Sequence, residues 1–159
     1  MITIRHATTE ADIESVRVLF REYEASIGID LCFQGFAQEL AALPGAYALP
    51  SGRLLLAEDG ATIAGCIALR PFPPDACEMK RLYVRPHSRG TGIGRLLASR
   101  LIEEAKAEGY SQMVLDTLST MQAAIALYRS LGFVEIPPYY ANPIAGAKYF
   151  ALDLKPALM

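Results

Sequence analysis

The sequence predicts a mixed α/β fold in which helices pack on one central sheet. Short apolar or alternating segments, typical of strands, are interspersed with segments whose apolar residues recur at helical spacing. An Asp59-Gly60 pair between two apolar runs indicates a tight hairpin. With 159 residues, of which 52% are hydrophobic and 20% charged, the chain is long enough to bury a core. We therefore expect one globular domain, residues 1–159.

The sequence of the first half of the chain predicts one strand, then two helices, then three strands. Residues 2–6 alternate as a short strand, and Thr8 or Thr9 then caps a helix with acidic residues in its first turn. A shorter helix over residues 33–43 is stopped by Pro44-Gly45. Strands are expected at residues 53–58, 62–69 and 78–85, with a proline-rich connection at 71–75.

The second half alternates between helices and strands. A helix begins at Ile93 and ends near Glu108-Gly109. Ser119 and Gln122 have the spacing of a capping box, which would open a helix that Gly132 terminates. Strands are predicted at residues 112–116, 133–136 and 148–154. The whole order is β-α-α-β-β-β-α-β-α-β-β.

A glycine-rich turn, Arg89-Gly90-Thr91-Gly92-Ile93-Gly94, lies between a strand and a helix. Backbone amides without side chains, at the positive end of a helix, are suited to binding a phosphate or pyrophosphate. The spacing differs from the dinucleotide motif GxGxxG, and no Lys-Ser or Lys-Thr follows as in a triphosphate loop. A purely structural turn remains the alternative.

Composition excludes several other classes of function. The formal net charge of −2 provides no basic surface for nucleic acid or an anionic membrane. No apolar run approaches the roughly 18–20 residues of a membrane span, and the first residues contain no apolar signal core. Cys32, Cys66 and Cys77 form no CxxC pair. We expect reduced thiols, a cytoplasmic location and no metal.

Three motifs together resemble a known family. They are Arg89-x-x-Gly92-x-Gly94, the strand LYVRP before it, and the segment AIALYRSLGF at residues 124–133. They are similar to the pyrophosphate loop, preceding strand and helix-strand junction of the GNAT superfamily of acyl-CoA-dependent N-acyltransferases. The motifs span about residues 78–133. The resemblance implies a central mixed, mostly antiparallel sheet flanked by about four helices, and acetyl-CoA as co-substrate.

The resemblance also implies a coenzyme A site. Amides of the glycine turn would bind the pyrophosphate, and the strand before it would pair through its backbone with the pantetheine arm. Many relatives carry, at the position of Met121, an Asn that contacts the coenzyme, so we do not expect that contact in this chain. The implied cofactor-binding residues are Leu82, Tyr83, Val84, Arg89, Gly90, Thr91, Gly92, Ile93, Gly94 and Arg95.

Two residues are candidates for the chemistry of acyl transfer. By resemblance, Tyr128 lies at the thiol end of the coenzyme and would protonate the leaving thiolate. Glu78 lies at the offset where several relatives carry a catalytic base. The alternatives are a Tyr128 packed in the core and a Glu78 paired with Lys80 or Arg81. A strand amide near Leu82 would stabilise the oxyanion.

The acceptor would lie between the loop after the first helix and the loop before the last strand, at residues 23–33 and 136–147. Glu24 and Asp30 could attract a cationic amine, and Tyr139 and Tyr140 could also contact it. Alternatively, Glu24 is a surface charge and the tyrosines pack at a subunit interface, which would indicate a homodimer.

We therefore expect an N-acetyltransferase that transfers acetyl to a primary amine of a small molecule or peptide, by direct attack in a ternary complex. Two alternatives remain at this point. One is a protein N-terminal or lysine acetyltransferase. The other is a non-catalytic coenzyme A-binding module in which Tyr128 and Glu78 are structural.

Overall fold

A computed structural model describes residues 1–31 and 35–155 of the chain. Its element order confirms the predicted one. The strands are β1 Ile2–His6, β2 Arg53–Asp59, β3 Thr62–Phe72, β4 Ala76–Val84, β5 Gln112–Leu118, β6 Val134–Ile136 and β7 Ala147–Asp153. The α-helices are α1 Glu10–Ile27, α2 Phe36–Ala42, α3 Ile93–Glu108 and α4 Gln122–Ser130, and short 3₁₀ turns lie at Gly45–Tyr47 and Pro86–Ser88.

The strands form one seven-stranded sheet in the order β1-β2-β3-β4-β5-β7-β6. The β4–β5 pair is parallel, and the other neighbouring pairs are antiparallel. Helix α3 connects β4 to β5, as a parallel pair requires. The sheet is therefore mixed and mostly antiparallel, as expected.

Strands β4 and β5 pair over a short stretch and then diverge. Ala76–Glu78 pair with Gln112–Val114, although both strands continue well beyond these residues. Near the point of divergence, β4 contains an extra residue relative to β3, and Arg81 adopts a φ of +61°. Such bulges bend a strand and increase its twist. The divergence leaves a wedge between the two strands, with unpaired β4 backbone along one side.

Each face of the sheet has its own apolar core. Helix α3 packs on one face, where Leu97 of the helix is buried together with Leu55 and Phe150 of the sheet. Helices α1 and α2 cover the other face, where Phe20 and Leu56 are fully buried. Cys77 and Met79 belong to the α3 core. Because side chains alternate along a strand, Glu78 and Lys80 of β4 face α1.

Helix α1 begins with a complete capping box. The Thr9 hydroxyl accepts from the Asp12 N–H at 3.0 Å, and the Asp12 carboxylate accepts from the Thr9 N–H at 3.2 Å. Arg5 binds both Asp12 oxygens at 2.8 Å and also contacts Glu58. The cap therefore attaches α1 to β1 and β2. Of the two predicted caps, Thr9 is the one that forms.

Some predicted boundaries were wrong. Ser119 does not cap α4: the N-cap position is Met121, and the Ser119 N–H, which a capping box would use, donates to the Gly146 carbonyl at 2.9 Å. Strand β3 continues through Pro71, which lies opposite Cys77. The first residue of β2, Arg53, lies opposite Leu69, so β2 does not extend alongside Pro71. Pro71 therefore has a neighbouring strand on one side only, and its missing N–H can be tolerated.

Two predictions extend outside the described residues. The expected helix over 33–43 appears as α2, Phe36–Ala42, whereas its first predicted residues and Cys32 lie outside the described part of the chain. Among the helices that the structure describes, none is long and apolar enough to cross a membrane.

Candidate active site

A groove of about 680 Å³ follows the wedge between β4 and β5. It runs from the glycine turn before α3 to the first turn of α4. Eight of the ten predicted cofactor-binding residues line it: Leu82, Tyr83, Val84, Arg89, Gly90, Gly92, Ile93 and Gly94. The strand and the glycine turn identified from the sequence therefore meet on one concave surface.

The glycine turn leaves open space above its backbone. Gly90 and Gly92 adopt φ angles of +79° and +86°, and a Cβ atom built on either would meet no atom within 4 Å. Gly92 is the N-cap of α3, so the next three amides have no acceptor inside the helix. Free amides at a helix N-terminus are suited to an anion such as phosphate, because the helix terminus favours negative charge.

The other two predicted cofactor residues make internal contacts. Thr91 Oγ1 donates to the Ser88 carbonyl at 2.5 Å and stabilises the turn. Arg95 donates to Ser130 Oγ at 2.7 Å, which links α3 to α4. Neither residue lines the groove.

Arg89 contacts the strand beside the turn. Its Nε donates to the Val84 carbonyl at 2.9 Å, and its guanidinium lies 5.8 Å from the centre of the Tyr83 ring. The Tyr83 hydroxyl donates to Glu22, which also binds Arg85 through both carboxylate oxygens. These contacts connect α1 to the end of β4 and to the glycine turn.

A small chamber of about 40 Å³ lies next to the groove, on its α1 side. Both spaces are lined by Leu82, Leu118 and Met121, together with Tyr23 and Ile27 of α1. Asn142 and Ile144 complete the chamber from the loop before β7. The two loops expected to enclose an acceptor thus both contribute to one chamber.

Tyr128 of α4 lines this chamber from the α3 side. It is 6% exposed and its ring contacts Phe133 and Phe150. Burial raises the pKa of the Tyr128 phenol above its usual value, so the hydroxyl keeps its proton at neutral pH. The residue therefore packs in the core and also presents a proton donor at the chamber wall.

Glu78 is 1% exposed and does not line the chamber. Its Oε1 accepts from Arg70 Nε at 2.8 Å, and its Oε2 accepts from the Tyr139 hydroxyl at 2.6 Å. Lys80 lies 3.9 Å from the same Oε2, whereas Arg81 pairs with Glu39. Glu78 therefore belongs to a buried polar cluster behind the chamber wall.

The four predicted acceptor residues do not gather at one point. The Glu24 carboxylate accepts from the Leu31 N–H at 2.9 Å and fastens the loop after α1, and Asp30 is exposed. Tyr139 donates to Glu78, and Tyr140 donates to Asp116 at 2.6 Å. The tyrosines attach the loop before β7 to the sheet, next to the chamber.

Lys80 and Asp116 line the chamber and were not identified as functional from the sequence. Lys80 is buried, and its Nζ lies 3.6 Å from Asp116 Oδ1. The available signal was alternation: Lys80 shares a strand face with Glu78, and Asp116 ends a predicted strand. Among the described residues, no group of three His, Cys, Asp or Glu side chains could hold a metal ion.

Comparison with known proteins agrees with this geometry. A sequence model of the acetyltransferase (GNAT) family matches residues 15–133. An uncharacterized N-acetyltransferase of Schizosaccharomyces pombe is 44% identical over 155 residues, covering 96% of this chain and 95% of that protein. A GNAT-family acetyltransferase from Staphylococcus aureus superposes with a TM-score of 0.81 at 21% identity, covering 98% of this chain and 100% of the other. The yncA protein of Salmonella typhimurium, solved with its cofactor acetyl-CoA, has a TM-score of 0.68 at 25% identity, covering 100% and 97%.

The chain therefore belongs to the GNAT family of acetyltransferases, as its three motifs predicted. The structural likeness independently confirms the fold. Membership of this family makes the chain an N-acyltransferase. It therefore argues against the alternative that the glycine turn is purely structural.

Proposed function

We propose that this enzyme transfers an acetyl group from acetyl-CoA to a primary amine of a small molecule or peptide, by direct attack within a ternary complex. The observation that supports this best is the shared wall of groove and chamber. A donor lying in the groove and an amine entering the chamber would meet beside Leu82 and Met121, next to Tyr128.

The groove fits coenzyme A at both ends. The amides at the start of α3 bind the pyrophosphate above Gly90 and Gly92, where no side chain intrudes. The β4 backbone at Leu82–Val84 that is not paired with β5 supplies N–H and C=O groups to the amide-bearing pantetheine arm, except for the Val84 carbonyl, which accepts from Arg89 Nε. Arg89 supplies a cation beside the turn, while Thr91 and Arg95 act by holding the turn and α3 in place.

Bound acetyl-CoA supplies the thioester, and the chain supplies the proton transfers and the positioning. The Tyr128 hydroxyl, which is protonated at neutral pH and lies at the chamber wall, donates to the departing thiolate. A backbone amide near Leu82 stabilises the developing oxyanion. Glu78 acts on amine deprotonation only indirectly, since it lies behind the chamber wall and its two oxygens already accept from Arg70 and Tyr139.

The acceptor's reacting end must be small, because the chamber volume of about 40 Å³ admits only a few heavy atoms. Leu31, Asn142 and Ile144, from the two loops, restrict the chamber further. This favours a small amine or the end of a peptide over a folded protein surface. Asp116 supplies a negative charge to an incoming ammonium group, and Tyr140 holds it there.

A cytoplasmic location is consistent with this role, and two buried free thiols support it. Cys66 and Cys77 are both fully buried and unpaired among the described residues, and burial raises the pKa of Cys77 to about 12. Such thiols are inert and need no oxidising compartment. A homodimer stays a prediction.

The first test is ligand-induced stabilisation, followed by turnover. Acetyl-CoA at 100 times its Kd should stabilise the protein by about 2.7 kcal/mol. If acetyl-CoA does not raise the Tm, the proposed donor site is refuted. Thiol release should then be measured over a panel of small amines, amino acids and short peptides. Release with none of them, despite acetyl-CoA binding, would contradict the proposed acceptor class.

Tyr128→Phe tests the proposed acid. The substitution keeps the ring contacts with Phe133 and Phe150, so acetyl-CoA should stabilise the variant as it does the wild type. Thiol release should fall by roughly 100-fold, the lower end of general acid-base contributions. Unchanged turnover would exclude Tyr128 as the proton donor.

A further inference from the structure

Lys80 of β4 lines the chamber and lies close to two acids, Glu78 and Asp116. It lines the chamber together with Asp116 and Tyr128. Its Nζ lies 3.6 Å from Asp116 Oδ1 and 3.9 Å from Glu78 Oε2. Lys80 is therefore placed between the space open to an acceptor and the carboxylate that the sequence identified as the base.

Proton transfer from the chamber directly to Glu78 does not fit this arrangement. Glu78 is 1% exposed, and its oxygens accept from Arg70 and Tyr139. An amine inside the chamber would reach the Lys80 amino group before it reached Glu78. A general base must lie within hydrogen-bond reach of the proton that it takes.

The charged and titratable groups around Lys80 come from three strands, a loop and two helices, since Tyr23 of α1 and Tyr128 of α4 line the same chamber. Glu78 and Arg81 are on β4, Arg70 is on β3 and Asp116 is on β5. Tyr139 and Tyr140 hydrogen bond to the two acids from the loop before β7. Burial lowers the pKa of Lys80, the two carboxylates oppose this, and the two arginines reinforce it. A lysine whose pKa is lowered loses its own proton more readily, and the neutral amine can then accept a proton from the acceptor.

We propose that Lys80 is a further catalytic residue, the group that removes the proton from the acceptor ammonium, while Glu78 and Asp116 hold its amino group at the chamber wall. This inference rests on the proposed acetyl transfer to a primary amine. It assigns to Lys80 the proton-accepting role that the sequence assigned to Glu78, and leaves Glu78 as a positioning residue.

The proton balance of this step is complete. Neutral Lys80 takes one proton from R–NH₃⁺, which frees the nitrogen lone pair to attack the thioester carbon. The C–N bond forms and the C–S bond breaks, and the thiolate takes a proton from Tyr128. The nitrogen returns one of its two remaining protons to the Tyr128 oxygen as the amide forms. Lys80 then releases its proton to solvent.

The first experiment needs no acceptor. The chain contains four lysines, Lys80, Lys106, Lys148 and Lys155, so the full-length protein labelled with ¹³C at lysine Cε should give few NMR signals. In the presence of saturating coenzyme A, we expect one signal to titrate clearly below the others and to be missing in Lys80→Arg. Titration of all four near the usual lysine value of about 10.4 would overturn the inference.

The second experiment compares two amines of similar size and different basicity. Ethylamine is protonated at pH 7.5, whereas 2,2,2-trifluoroethylamine is mostly neutral and needs no base. Lys80→Arg keeps a positive charge but cannot accept a proton. Its thiol release should fall at least 100-fold with ethylamine and less than about 10-fold with trifluoroethylamine. Lys148→Arg, on a half-exposed strand position, is the matched control.

The outcomes separate the inference from the proposed function. If wild-type enzyme releases no thiol with either amine, the acceptor proposal fails for these amines, and the NMR titration still decides the state of Lys80. If Lys80→Arg loses activity equally with both amines, or with neither, Lys80 is not the base. Lys80→Met provides the same comparison if the arginine variant unfolds.

Discussion

The hydroxyl of Tyr139 is the contact by which the loop before β7 reaches the most deeply buried acid of the site. It donates to Glu78 Oε2 at 2.6 Å, and its ring meets Phe72, Tyr140 and Tyr149 edge-on. Tyr139→Phe removes the hydroxyl and keeps the ring. The variant therefore isolates a single hydrogen bond to a carboxylate that is 1% exposed.

The expected loss is large for a single oxygen atom. Hydrogen bonds to charged groups contribute about 1.5–3 kcal/mol, and removing one partner leaves the other desolvated. For a domain of this size, each kcal/mol lowers the Tm by about 2–4 °C. We expect Tyr139→Phe to unfold roughly 3–12 °C below the wild type. Because Asn142 and Ile144 of the same loop line the chamber, KM for the acceptor should rise more than kcat falls.

Tyr47→Phe is the matched control for this measurement. Tyr47 is buried near the Glu39 carboxylate, but its hydroxyl has no partner within hydrogen-bond geometry among residues 1–31 and 35–155. Losing that hydroxyl should cost nothing or stabilise the fold slightly. Urea denaturation of both variants at neutral pH gives the two free energies of unfolding. Equal effects, or a loss below about 0.5 kcal/mol for Tyr139→Phe, would show that the Tyr139–Glu78 bond does not hold the loop.

Two further substitutions test the donor cradle and the start of α1. Gly92→Ala places a side chain at a φ of +86°, so it should lower the free energy of unfolding by about 1–2 kcal/mol and abolish the Tm gain from acetyl-CoA. In the control Gly94→Ala, the new Cβ meets only Leu127 and Val84, at 3.8 and 3.9 Å. This variant should leave the Tm unchanged. Asp12→Asn should cost about 2 kcal/mol at pH 7, measured by urea denaturation. Arg5 holds the pKa of the Asp12 carboxyl below its usual value, so this stability is present above about pH 4 and is lost as the pH falls. A difference between wild type and Asp12→Asn that does not narrow below pH 4, or a matching loss in the exposed Glu14→Gln, would contradict this reasoning.

The residues of the proposed donor groove could be predicted to lie together, because local sequence determines their positions. Glycine at a positive φ, a proline after a strand and helical spacing from Ile93 are all properties of neighbouring residues. The order of elements followed from the same local patterns, and the family resemblance placed Tyr128 next to the groove. Eight of the predicted cofactor residues accordingly line the groove.

The acceptor side could not be predicted in the same way, because it depends on pairings between distant residues. Glu78 meets Arg70 and Tyr139, which lie 8 and 61 positions away in the chain. Asp116 meets Lys80 across the divergence of β4 and β5, and Tyr140 reaches it from a later loop. The prediction that Ser119 caps α4 was wrong for a similar reason, because the Ser119 N–H donates to the carbonyl of Gly146, which is distant in sequence.

One structural feature connects the two sides. The separation of β4 from β5 after Glu78 frees the strand backbone that the donor groove needs. It also leaves Lys80 and Asp116 facing each other at 3.6 Å beside the chamber, although their strands no longer pair there. A substitution that extended β4–β5 pairing past Glu78 would therefore close both spaces at once. The polar cluster of Arg70, Glu78, Lys80 and Asp116, in which Glu78 and Lys80 are buried at a cost in desolvation energy, therefore lies where β4 and β5 diverge.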